Sequence, residues 1–129
     1  MEKNFSLTIT QKQLINLINF NIMKAILNIG LNNNPLTQEA ILEKLSSDYT
    51  IVRYSFAIGR YEDEHEPTLV VHIESPYART SHFIKKIEEL ATILTQNCIA
   101  VSTDQFDLLV YAQNFNGQQY KFDNQYFIR

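Results

Sequence analysis

The apolar residues of this chain change their spacing twice, and this change constrains the fold more than any other feature of the sequence. Before residue 50 and again after residue 80, they recur every three or four positions, which is the period of an amphipathic helix. Between these points they alternate with polar residues, as in a half-buried strand. We therefore expect an α+β fold, in which an antiparallel sheet carries helices on one face.

The first part of the chain, residues 1–47, is predicted to form two helices. Thr10 and Gln13 have the spacing of a capping box. Apolar residues then follow at helical spacing as far as Gly30, a residue type that commonly ends a helix. These apolar residues are Leu14, Leu17, Ile18, Ala25 and Ile29.

A turn is predicted at residues 32–36, where three asparagines precede Pro35. Thr37 has the right side chain to cap a second, shorter helix over residues 39–45. The rest of the chain, residues 48–129, is expected to form the α+β core of a single domain that spans residues 1–129.

Two strands are predicted over residues 52–58 and 69–74. The first alternation is carried by Val52, Tyr54, Phe56 and Ile58, and the second by Leu69, Val71 and Ile73. The polar segment at residues 59–67 is longer than a tight two-residue hairpin, so we expect an extended connection there. Pro76 is expected to end the second strand.

The clearest helical pattern lies in residues 81–96, which we expect to pack across one face of the sheet. Its apolar stripe is formed by Phe83, Ile84, Ile87, Leu90, Ala91 and Leu94. Two strands are predicted next, at Cys98–Ser102 and at residues 106–112. The Asn-Gly pair at 116–117 is a hairpin signal, so a further strand is predicted at residues 119–122.

Composition excludes several functional classes. The chain has 129 residues and a net charge of −3, so it has no basic footprint for duplex nucleic acid. Its three glycines cannot assemble a Walker loop or a Rossmann fingerprint. Its one cysteine, Cys98, excludes an internal disulfide and a cysteine zinc cluster. With no secretory signal and no apolar run long enough to span a bilayer, we expect a cytoplasmic protein without membrane contact.

The densest group of ionisable side chains lies at residues 62–66, where four acids surround His65. Such a run is typical of a solvated loop, and its consecutive acids do not converge on one metal ion without a special turn. No metal site is therefore predicted, and His72 and His82 are expected on a sheet face and at a helix start. Cys98 lies in an apolar strand and is expected to be a buried structural thiol.

One aromatic residue, Tyr61, stands beside these acids rather than within the predicted strands. A tyrosine next to a carboxylate suits a small cationic ligand, through cation–π contact and a charge-assisted hydrogen bond. From the residues alone, the sequence supports a small α+β domain with an acidic segment.

Two segments resemble the small phage-encoded S-adenosylmethionine lyases, long called S-adenosylmethionine hydrolases. Gly59-Arg60-Tyr61, followed by the segment Glu66-Pro67-Thr68-Leu69-Val70-Val71, resembles the family's Gly-x-Tyr, acidic loop, Glu-x-Ser/Thr and apolar strand. The helix and strand of residues 87–101 resemble its helix followed by Gln-x-Cys/Ser-Val-x-Val, with Ile99 in place of the first valine. Leu108-Leu109-Val110-Tyr111 then resembles its Leu-Leu/Val-x-Tyr. The resemblance covers about residues 51–121.

This resemblance implies cleavage of S-adenosylmethionine to 5′-methylthioadenosine and homoserine lactone, without a cofactor. It also implies a ferredoxin-like or PII-like trimer with active sites between subunits, in a host bacterial cytoplasm where phages deplete this methyl donor and restriction cofactor. Glu66 and Tyr61 are the implied catalytic residues, which would hold and orient the methionine tail. Gln96, at a helix-to-strand junction, is an implied substrate-binding residue.

Two other functions remain open at this point. One is a trimeric regulator of the nitrogen-signalling type that binds an adenosyl ligand without cleaving it, although the acidic segment would repel phosphates. The other is a phage protein that inhibits a host enzyme by direct contact through an acidic surface.

Overall fold

In the computed structural model, the described residues are 22–61, 63–76, 79–121 and 127–128, and they form one antiparallel sheet with two helices. In chain order the elements are β1 (Met23–Gly30), α1 (Gln38–Ser46), β2 (Thr50–Tyr61), β3 (Glu64–Ser75), α2 (Thr80–Ile93), β4 (Cys98–Ser102), β5 (Asp107–Tyr111) and the two-residue β6 (Phe127–Ile128). The strand order is β5-β4-β1-β3-β2-β6, and each neighbouring pair is antiparallel. The predicted α+β class is confirmed.

Both helices pack on the same face of the sheet. In the register of the central strands, Leu27 lies opposite Val71 of β3 and Val101 of β4, so these three side chains share a face. They belong to one buried apolar cluster with residues of both helices, which are Ile41 and Leu45 of α1 and Phe83, Ile87, Leu90 and Ala91 of α2. Burial of this cluster is the main driving force for the arrangement.

The predicted helix ending at Gly30 is wrong where the structure describes it, because Met23–Gly30 is a strand at the centre of the sheet. Ala25 and Ile29 are four residues apart, a spacing that fits one face of a helix and one face of a strand equally well. Pairing with β3 on one side and β4 on the other decides in favour of the strand. The remaining residues of that prediction, Thr10, Gln13, Leu14, Leu17 and Ile18, lie outside the described residues.

The extended connection predicted at residues 59–67 is also wrong. Strands β2 and β3 continue through this polar segment, and the residue pairs run as far as Tyr61 with Glu64. Only two residues connect the strands, and Asp63 has the left-handed φ of 66° that tight hairpin turns require. Charged residues were predicted as loop, whereas here they occupy the exposed end of a long hairpin.

The two helices that the structure describes confirm the predictions for their segments. Thr37 caps α1, with its Oγ1 accepting a hydrogen bond of 3.2 Å from the Ala40 backbone N–H. The stripe of α2 points inward, and Phe83 and Ile87 are completely buried. Neither of these helices has the length and apolar character that crossing a membrane would require.

The hairpin predicted from the Asn-Gly pair at 116–117 does not form. Gly117 does not have a positive φ, which the expected type I′ turn requires, and residues 118–121 are not in a strand. Residue 122 lies outside the described part of the chain. The next described strand is β6, which pairs with β2 and has Ile128 opposite Ile58.

One row of apolar side chains on β2 is not covered by either helix. Tyr54 and Phe56 lie opposite Val71 and Leu69 in the register, which places them on the helix side of the sheet. They are nevertheless 48% and 55% exposed, and Ile58 is similarly exposed. The predicted alternation holds for Tyr54, Phe56 and Ile58, but a β-bulge between Ile51 and Arg53 interrupts it at Val52. The apolar face is only partly buried, because the described helix layer does not extend over this part of β2.

Candidate functional site

A polar cavity of about 220 Å³ opens on the face of the sheet opposite the helices. Strands β1, β3 and β4 present alternate residues to it, and the loops after β1 and after α2 form its rim. Its lining residues are Asn28, Gly30, Asn32, Asn33, Gly59, Arg60, Glu64, Glu66, Thr68, Thr95, Gln96, Asn97, Cys98 and Ala100. Two carboxylates against one guanidinium make this lining net acidic.

Glu66 and Gln96, two of the predicted site residues, meet over Gly30. A methyl group placed on the Gly30 Cα would lie 2.6 Å from both carboxylate oxygens of Glu66 and 2.7 Å from Oε1 of Gln96. Those distances are far too short for carbon, so only glycine leaves room for both side chains. The structure thus places Gly30, which was predicted to end a helix, at the floor of the candidate site.

The Glu66 carboxylate is half-buried, and its surroundings disfavour its charge. Burial raises its pKa above the ordinary value, and the nearby negative charge of Glu64 acts in the same direction. The Asn32 backbone N–H donates a hydrogen bond of 3.2 Å to Oε2, which lowers the pKa and only partly offsets these effects. A cation bound beside Glu66 would stabilise the ionised form, so this carboxylate is suited to a positively charged ligand.

Gln96 is 9% exposed, and its amide nitrogen is already occupied. Nε2 donates hydrogen bonds of 3.1 Å to the carbonyl oxygens of Asn32 and Leu94. Its carbonyl oxygen, Oε1, remains directed toward Gly30 and the Glu66 carboxylate. Gln96 therefore joins the two rim loops and offers the cavity a hydrogen-bond acceptor.

The two rim loops contain strained backbone. Asn33 and Thr95 have φ values of 58° and 50°, in the left-handed region that a β-branched residue such as threonine strongly disfavours. The Thr95 hydroxyl donates a hydrogen bond of 2.7 Å to the Asn33 carbonyl. Strain of this kind concentrates at functional sites. No local sequence pattern predicts this contact, because it depends on the packing of two loops that are far apart in the sequence.

Tyr61, the other predicted catalytic residue, pairs through its backbone with Glu64 at the end of the β2–β3 hairpin. Its side chain lies outside the described part of the structure, so its role stays a prediction. Asp63, Glu64 and His65 are exposed, as expected of solvated charges. Within the described residues, no three histidine, cysteine or acidic side chains converge on a point where a metal ion would bind.

Cys98 was predicted to be buried, and this prediction is wrong. Its neighbours Ile99 and Val101 point into the helix-covered core, where both are completely buried. Because side chains alternate along a strand, Cys98 points to the opposite face, where it is partly exposed and lines the cavity. The apolar character of the segment predicted the strand correctly but not the face on which the thiol lies.

Asn28 is a cavity residue that the sequence did not indicate. It is 3% exposed and lies in the middle of β1, between the buried Leu27 and Ile29. A polar residue within an apolar strand could have raised the question of a buried polar contact.

Comparison of the whole chain with protein-family models, with curated proteins and with solved structures finds no match.

Proposed function

We propose that this protein is an S-adenosylmethionine lyase, which cleaves its substrate to 5′-methylthioadenosine and L-homoserine lactone. The observation that carries the proposal is the half-buried Glu66 carboxylate over Gly30, whose pKa is raised by burial and by the nearby charge of Glu64. A cation would stabilise its ionised form, and the substrate supplies one as the ammonium group of its methionine tail. Glu66 is also the residue to which the sequence resemblance assigns that contact.

The reaction needs little chemistry from the protein. The substrate carboxylate attacks its own γ-carbon, so a carbon–oxygen bond forms while the carbon–sulfur bond breaks and its electron pair passes to sulfur. A carboxylate and a sulfonium thereby become a neutral lactone and a neutral thioether. No thiolate, metal ion or external base takes part, and we expect Cys98 to act only as a lining residue.

The protein accelerates this step by folding the methionine tail so that carboxylate oxygen, γ-carbon and sulfur lie in line. Holding reacting atoms in that geometry is worth several kcal/mol. Glu66 fixes the ammonium end of the tail, and Tyr61 is proposed to orient it with its hydroxyl. Transfer of the reacting charges out of bulk water favours a transition state in which charge is lost.

A trimer with sites between subunits is part of this proposal. The β-α-β-β-α-β order, with β4-β1-β3-β2 adjacent in the sheet, is typical of ferredoxin-like folds and supports the ferredoxin-like or PII-like class. The cavity of about 220 Å³ is smaller than the ~300–1,000 Å³ of most small-molecule sites. A neighbouring subunit would complete it, and the exposed apolar row on β2 supports self-association.

Incubation of the purified protein with S-adenosylmethionine, followed by chromatography and mass spectrometry, tests the proposal. The lyase releases methylthioadenosine and homoserine lactone in equal amounts. Binding without release would instead identify an adenosyl-binding regulator, and neither binding nor release would favour an inhibitor that acts on a host enzyme. The proposed biological role is depletion of the methyl donor in a bacterial cytoplasm during phage infection, which counters restriction.

A further inference from the structure

Asn28 presents a buried hydrogen-bond acceptor that no described residue satisfies. Its side chain lines the cavity and is 3% exposed, yet Oδ1 has no hydrogen-bond partner. A buried carbonyl oxygen left unpaired destabilises the folded protein. Such a cost inside a ligand cavity suggests that the missing donor comes from a ligand.

The orientation of the Asn28 amide is set by its other end. Nδ2 donates a hydrogen bond to the carbonyl oxygen of Ala100, which requires nitrogen rather than oxygen at that position. This bond is long, at 3.4 Å, and the terminal torsion of an asparagine is soft. A small rotation of the amide would therefore turn Oδ1 toward a ligand at little cost.

Gly30 brings the Glu66 carboxylate close to Asn28 on the cavity face of the sheet. Asn28 and Gly30 are two residues apart on β1 and point to the same face, which separates them by about 7 Å along the strand. The Glu66 carboxylate occupies the space over Gly30 that a side chain at that position would otherwise take. The cavity floor thus carries two acceptors of different kinds, one charged and one neutral, about one two-residue strand repeat apart.

We propose that Asn28 is a specificity-determining residue that accepts a hydrogen bond from the adenosyl part of the ligand while Glu66 holds the ammonium group. The assignment rests on the proposed function for the identity of the ligand. Ribose hydroxyls and the adenine amino group are the neutral donors that S-adenosylmethionine carries in addition to its ammonium. A ligand without such a donor would leave the buried Asn28 oxygen unpaired.

Two stable probes separate the contacts. S-adenosylhomocysteine carries both the ammonium group and the adenosyl part, whereas methylthioadenosine carries only the adenosyl part. We expect Asn28→Leu to weaken the binding of both probes about tenfold in calorimetric titration, as the loss of one hydrogen bond implies. We expect Glu66→Gln to weaken S-adenosylhomocysteine strongly and to leave methylthioadenosine unchanged.

Thermal unfolding of the ligand-free variant separates this role from a structural one. Leucine removes the unpaired acceptor together with the long hydrogen bond from Nδ2 to Ala100, and we expect these two effects to offset, so that Asn28→Leu unfolds within a few degrees of the wild-type temperature. A much lower unfolding temperature would show that Asn28 has a structural role. If the leucine variant fails to fold, Asn28→Val, whose β-branched side chain suits a central strand, replaces it.

Wild-type affinity of the Asn28 variant for both probes would overturn the assignment, and so would failure of the wild-type protein to bind either probe. The proposed lyase activity fails separately, if the wild-type protein binds the probes but releases no methylthioadenosine from S-adenosylmethionine. That result would leave the role of Asn28 in binding intact.

Discussion

Thr95 and Asn33 lie 62 positions apart in the sequence, and the Thr95 hydroxyl donates a hydrogen bond of 2.7 Å to the Asn33 carbonyl oxygen. Both residues adopt left-handed backbone at the rim of the cavity. Gln96 makes a second tie between the same loops through its hydrogen bond to the carbonyl oxygen of Asn32. Because the Asn32 N–H donates a hydrogen bond to the Glu66 carboxylate, these two hydrogen bonds between the loops help to position the proposed catalytic carboxylate.

Thr95→Val tests this connection, since valine keeps the branched shape and removes the hydroxyl. We expect the free energy of unfolding in urea to fall by about 1 kcal/mol and the rate of methylthioadenosine release to fall with it. Thr95→Ser, which keeps the hydroxyl, is the matched control and is expected to retain most of the activity. Equal stability and activity in the valine variant and the wild-type protein would show that the contact has no energetic role.

Gly30→Ala is predicted to disrupt the site while preserving the fold. The added methyl group would displace the ends of the Glu66 and Gln96 side chains, which can move without disturbing the sheet. We expect methylthioadenosine release to fall at least tenfold, because small displacements of positioning groups are costly for catalysis. The melting temperature should change by only a few degrees. An alanine variant with unimpaired release would contradict the role given to this glycine.

The stability of the ligand-free protein should depend on the ionisation of Glu66. Because burial raises its pKa, the folded protein holds this proton more tightly than the unfolded chain does. The resulting stabilisation is complete below the unfolded pKa and is lost as the pH rises through the raised pKa of the folded state.

Glu66→Gln cannot ionise, so we expect its free energy of unfolding to increase relative to that of the wild-type protein as the pH rises from about 4, near the ordinary pKa of a glutamate, through the raised pKa of folded Glu66. Urea titrations across this range measure the difference. Glu64→Gln removes a charge that raises the Glu66 pKa, so in that variant the loss of stability with rising pH should begin at a lower pH than in the wild-type protein. A difference between Glu66→Gln and wild type that does not change with pH would contradict the pKa assignment.

The exposed row on β2 is predicted to form the interface between subunits. Phe56→Glu introduces a charge at a 55% exposed apolar position and should convert a trimer into monomers in light scattering. Leu108→Glu, at a 42% exposed position on β5 at the opposite edge of the sheet from β2, is the matched control and should remain trimeric. A wild-type protein that is monomeric at micromolar concentration with full activity would refute the trimer.

The sequence predicted the elements whose pattern admits a single interpretation. The stripe that begins at Phe83 fits only a helix, and the apolar segment Cys98–Ser102 between polar residues fits a strand. Strand β1 was missed because the spacing of Ala25 and Ile29 fits both a helix and a strand. Only the pairing of this segment with two neighbouring strands selects the strand. The β2–β3 hairpin was shortened in the prediction because solvated charges at its exposed end resemble a loop.

The candidate site was predictable only where a motif was present. Glu66 and Gln96 came from the resemblance, and the structure brings them together over Gly30. Asn28 and Thr95 have no local signal, since their importance depends on strand register and on contacts between loops far apart in sequence. Local patterns do not encode such convergence.

The rate of methylthioadenosine release by Glu66→Gln, compared with wild type and with Glu64→Gln, tests the central claim most directly. Glu64 lies on the same strand and lines the same cavity, but its side chain is exposed, so its glutamine variant removes an equal charge from outside the proposed contact. We predict that the rate of release falls by about one to two decades in Glu66→Gln, which corresponds to the loss of one charge-assisted hydrogen bond in the transition state. In Glu64→Gln we expect the rate to change by less than about threefold. Release at the wild-type rate by a folded Glu66→Gln protein, or no release by the wild-type protein, would contradict the account.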